Sequence, residues 1–205
     1  MESEPPDIAV IMSETLPDAF VADLLPELEA PGLSLEVGRV PLAGPQATLV
    51  WLAPTALIVF IAKSYFDGFL KEAGKDHYQR LIAALGELGR RAKAVPVTLI
   101  GTPGKAPADQ PYSLLFAIYF DGGQQRVFKF LVPNDGDEAA AEAAMAAFAA
   151  FLKAYYEDTL PPDHAALIHG APAFGRTTLV AFNPATARIE PIHPVTQTFP
   201  GPETP

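Results

Sequence analysis

The sequence predicts an α+β fold: a mostly antiparallel sheet with helices packed on one face. Three observations predict it. Two pairs of β-rich runs, at 112–132 and 177–192, are each joined by a short turn-forming stretch. Helical patterns lie between such runs, one amphipathic and one alanine-rich. Strand and helix signals also fail to alternate across 95–132, as a regular doubly wound sheet would require.

Residues 1–7 read as a disordered leader, and 8–12 as a short apolar strand. Asp18 is placed to cap a helix running to about Glu29, with Phe20, Val21, Leu24, Leu25 and Leu28 at helical spacing. Pro26 shortens or kinks it, and Pro31-Gly32 ends it. Leu33, Leu35 and Val37 then alternate with Ser34, Glu36 and Gly38, the signature of a half-buried strand.

Between Arg39 and Lys63 there is no charge. A membrane helix needs about 20 predominantly apolar residues. The strongly apolar part, 49–62, is shorter and is broken by Pro54. The expectation is a buried core helix that continues into an amphipathic helix from Ser64 to about Lys93. Together they would form a long apolar-to-amphipathic helical segment over about 47–93. The β-branched content of 56–62 makes a strand the alternative. In the amphipathic part, Leu70, Gly74, Tyr78, Leu81, Leu85 and Leu88 recur at three- and four-residue steps. Asp76–Arg80 and Glu87–Arg91 are spaced as ion pairs on the solvated face.

Residues 95–100 read as a strand, and 112–120 with 126–132 as a hairpin. Asn134 or Asp135 caps an alanine-rich helix to about Glu157, whose buried stripe is Met145, Phe148, Leu152 and Tyr155. Residues 165–168 read as a strand, and 177–182 with 187–192 as a second hairpin. The Pro/Thr-rich stretch 194–205 reads as a disordered tail, leaving one α+β domain over 8–193.

The 205 residues carry a formal net charge of −10. Such a surface repels phosphate backbones, and basic residues cluster only briefly, at Arg90, Arg91 and Lys93. Nucleic acid is therefore not an expected partner. With no cysteine, disulfides, thiolate nucleophiles and cysteine-ligated metals are excluded. The acidic start does not read as a secretory signal, so a cytoplasmic location is expected. High Ala, Pro and Gly with little Lys and Asn is the composition of GC-rich bacterial coding.

No motif carries chemistry. Gly101-Thr-Pro-Gly-Lys105 lacks the spacing and following helix of a phosphate loop. G-x-S-x-G is absent. His77, His164, His169 and His193 do not fall at metal-ligand spacing, so neither a metal nor a cofactor is expected. The most distinctive string is 63–78. It offers Tyr65, Asp67, Lys71, Lys75 and His77 as binding candidates, on a face that would otherwise be plain solvated helix. His169 and Arg176 flank the longest small-residue loop and complete the set. The leading expectation is a soluble, non-enzymatic interaction domain, accessory, regulatory or immunity-type, with a protein partner or a second copy. The alternatives are a small-ligand protein or enzyme whose site is assembled from these distant residues, and a membrane-associated protein acting through 47–62.

Overall fold

The computed structural model describes residues 5–41, 55–70, 75–95, 111–123, 125–134, 136, 138–196 and 198–199. Its strands are β1 (Ile8–Ser13), β2 (Leu35–Val40), β3 (Leu57–Ile61), β4 (Tyr112–Asp121), β5 (Val127–Pro133), β6 (Thr177–Asn183) and β7 (Arg188–Pro191). They form one seven-stranded sheet in the order β2-β1-β3-β4-β5-β6-β7.

The fold is α+β, but the sheet is mixed rather than mostly antiparallel. The pairs β1–β2, β3–β4 and β5–β6 are parallel. The pairs β1–β3, β4–β5 and β6–β7 are antiparallel. A parallel pair needs a crossover long enough to hold a helix, and the chain supplies one three times. The first carries a 3-10 turn at Asp18–Phe20 and α1 (Leu25–Leu28). The second carries a π-helical turn at Tyr65–Phe69 and α2 (Lys75–Ala94). The third carries α3 (Glu138–Tyr156) and α4 (Pro162–Gly170). The two hairpins visible in the sequence are the antiparallel pairs β4–β5 and β6–β7. The pair β1–β3 joins strands distant in the chain and has no local signature.

The apolar run is the second correction, because no long apolar helix spans 47–93. Residues 57–61 are strand β3, the alternative that their β-branched content offered. Residues 47–54 and 71–74 lie outside the described residues. Leu57, Val59 and Ile61 are fully buried on one face, and Ile58 and Phe60 half-buried on the other. A strand set between β1 and β4 with apolar side chains on both faces has no polar side to show. Its continuous apolar run therefore carries no alternation by which to distinguish it from a core helix. Among the described residues no helix is long and apolar enough to cross a membrane.

Smaller differences have local causes. The helix expected over 18–29 splits in two, with Pro26 in the first turn of α1, where its missing N–H is tolerated. Residues 165–168 are helical because Pro162 opens α4 as well as following α3. Most of the strand expected at 95–100 lies outside the described residues. Glu87 pairs with Arg91 as the spacing implies, at 2.8 Å, whereas Asp76 and Arg80 do not pair with each other.

The described helices cover one face of the sheet. Val10, Val59, Ile118, Phe130 and Val180 follow one another across that face and join the main core. Phe148 of α3 stacks on Phe130, with centroids 4.2 Å apart, and meets Phe120 edge-on. On the other face Leu131, Leu179 and Ala181 form a smaller cluster with Ile192 and Phe199. The β4–β5 turn depends on Gly122, where a Cβ atom would lie 2.7 Å from the Phe128 ring.

Candidate functional site

The π-turn delivers Tyr65 into the core immediately after β3. Its hydroxyl lies 3.0 Å from Nδ1 of His77, and Nε2 of His77 lies 3.2 Å from the carbonyl oxygen of Leu28. A carbonyl only accepts, so Nε2 carries the proton and Nδ1 accepts from Tyr65. Burial lowers the pKa of His77, opposed by the Leu28 carbonyl, and burial raises that of Tyr65. The imidazole is thus held neutral and saturated. Tyr65 is fully buried and His77 is 2% exposed, in contact with the Phe69 ring. The pair is a strut tying the π-turn, α2 and α1 together, not an accessible acid–base couple. Tyr65→Phe leaves Nδ1 without its donor, and an unmatched buried polar atom costs about 1–3 kcal/mol. Urea unfolding at neutral pH measures that loss. An unchanged midpoint would show that Tyr65 contributes through its ring alone.

The other candidates are dispersed. Asp67 is exposed and pairs with Lys63. Lys71 and the side chain of Lys75 lie outside the described residues. Arg176 is exposed and donates from Nε to the carbonyl of Gln125 at 3.0 Å, which ties it to the β4–β5 turn. His169 is exposed and touches neither Tyr65 nor His77. A chain of rings links them instead: Tyr65 meets Phe66, Phe66 stacks on Tyr156, Tyr156 meets Tyr155, and Tyr155 lies beside His169.

His169 does line a depression of about 340 Å³ at the carboxyl ends of β3 and β4, together with Lys63, Asp121 and Asp158. Tyr155 and Tyr156 close its floor by donating to the carbonyls of Gly122 and Asp121 at 3.0 and 2.7 Å. The charges around it are mixed. Among the described residues no three His, Asp or Glu side chains are grouped to hold a metal.

A second feature lies at the sheet's edge. Among the described residues β2 has a neighbour on one side only, β1. Ile8 donates to Ser34 and Glu14 donates to Val40. The two-residue period therefore turns the backbone of Ser34, Glu36, Gly38 and Val40 toward β1. Leu35, Val37 and Arg39 direct their N–H and C=O groups outward. Val37 and Val40 are each 45% exposed, large for apolar side chains. Beside the strand, on the helical face, runs a groove of about 580 Å³ lined by Pro26, Glu29, Ala30, Pro31, Leu33, Leu35 and Val37. The alternation at 33–38 announced this strand; its outermost place in the sheet depends on long-range pairing that no local pattern encodes.

No protein-family model, curated protein or solved structure matches this chain.

Proposed function

We propose that this protein is a non-enzymatic interaction domain, accessory or regulatory in role, that takes up an extended segment of a partner protein on the outer edge of β2. The observation that carries the reading is that edge: an accessible strand bordered by a groove in which Glu29 lies among proline, alanine, leucine and valine side chains. Open edges invite unwanted pairing, and proteins ordinarily blunt them with charged side chains, proline, bulges or a covering element. Among the described residues β2 has the charged Glu36 and Arg39 but no proline, bulge or covering element. Addition of a strand supplies affinity through main-chain hydrogen bonds and specificity through pockets for alternate side chains.

Val37→Pro tests it. This proline removes an N–H that points away from β1, a position where edge strands accept proline, so the fold is expected to persist, checked by circular dichroism. Wild-type protein immobilised in lysate of its own organism is expected to retain a partner that the variant loses. Retention of the same proteins by both would sink the proposal.

A further inference from the structure

Resting on that reading, we infer that the segment taken up is basic, with apolar and cationic side chains in alternation. Two independent features specify it, the facing of β2 and the distribution of charge.

The facing comes first. Leu35, Val37 and Arg39 share a face with Ile8, Val10 and Met12, the core side of β1. Residues of an added strand lying opposite them direct their side chains to that same face, over the groove of Pro26, Ala30 and Pro31. These positions call for apolar side chains. The intervening residues point to the other face, where Glu36 is exposed.

The charge is unevenly spread. Residues 1–41 hold nine of the chain's acidic residues and a single base, Arg39, a net of −8 out of −10. Arg39 is already committed, donating to the carbonyls of Ser13 and Leu16 and pairing with Asp18. Asp23 is matched by Arg91, and Asp7 accepts the N–H of Ser34. Glu27, Glu29 and Glu36 are exposed, with no ion pair among the described residues. Glu29 lines the groove, and Glu36 stands on the opposite face of the same strand. Cationic side chains on the Glu36 face would meet a carboxylate there, and Glu29 adds to the negative charge along the edge. A second copy of this chain would bring the same negative charge to the same edge, and like charges in register oppose association.

The probes are three synthetic peptides: valine alternating with lysine, valine alternating with glutamate, and the lysine peptide N-methylated at every second amide. Titration by fluorescence anisotropy at low salt is expected to show the plain lysine peptide binding roughly tenfold or more tighter than either control. Val37→Pro should abolish the difference, and Glu27→Lys/Glu29→Lys/Glu36→Lys should reverse the charge preference. Equal binding of the lysine and glutamate peptides, lost in Val37→Pro, would overturn the basic specificity while leaving edge docking intact. Equal binding of the methylated and plain lysine peptides would mean charge alone attracts them, and would overturn both. A chain that dimerises through this edge and takes up no peptide would assign the edge to a second copy and overturn the inference.

Discussion

Replacing Phe148 by alanine is expected to lower the unfolding free energy by about 3–5 kcal/mol. Phe148 is completely buried on the inner face of α3. Its ring lies 4.2 Å from that of Phe130 at an interplanar angle of 9°, and Phe120 meets it at 5.9 Å and 61°. Truncation removes apolar burial, those ring contacts and the support that holds α3 over the centre of the sheet. The void is walled by strands fixed on both sides, so little collapse can fill it. For a chain of this size the loss corresponds to a fall in Tm of roughly 6–20 °C. Phe148→Leu, which retains most of the volume, should cost far less. Urea unfolding of both variants checks the pair. A small loss for alanine, equal to that for leucine, would mean α3 does not bear on the sheet through this residue.

How legible the molecule was depends on how local each cause is. The stripe of Met145, Phe148 and Leu152 is a property of one helix, and the spacing alone located it. The β4–β5 and β6–β7 hairpins are nearly as local, since a turn fixes each partner. The three parallel pairs are different, because nothing in β1 announces that β2 will return beside it after a crossover. β3 was hidden for a related reason: a central strand between β1 and β4, it has apolar side chains on both faces and therefore no alternation. His77 is the instructive case in the candidate set. Its charged neighbours Asp76 and Arg80 made it look like part of a solvated face. Yet 77, 81, 84, 85, 88 and 92 form one buried stripe along α2, and that spacing was already present in the sequence. The charge imbalance of the first 41 residues was equally readable. What gives it meaning is that β2 forms the sheet's edge, and only the assembled pairing places it there.

The second large effect concerns Lys129, a charge-bearing residue 2% exposed on the face of the sheet away from the described helices. It stands between Tyr119 on β4 and Leu179 on β6, with its nitrogen 5.5 Å from the Tyr119 ring centre. Burial lowers its pKa from 10.5 to about 7 and pushes the Tyr119 phenol up to about 12. The unfolded chain therefore keeps a proton on Lys129 up to about pH 10.5, whereas the folded protein releases it near pH 7. Between those limits the unfolded state binds more protons, so this residue makes stability rise with pH, by up to about 1.4 kcal/mol per unit. Below pH 7 both states are protonated and the penalty is constant, with a ceiling of about 5 kcal/mol. Lys129→Met keeps most of the length of the side chain and removes the charge. Relative to the wild type it is expected to lose stability as pH rises from 7 towards 10.5, by up to about 1.4 kcal/mol per unit. Tyrosines of the unfolded chain also begin to titrate near pH 10, but they do so in both proteins and cancel in the difference. Paired urea titrations from pH 6 to 10 measure it. A difference independent of pH would show instead that the folded protein keeps its proton on Lys129 across this range.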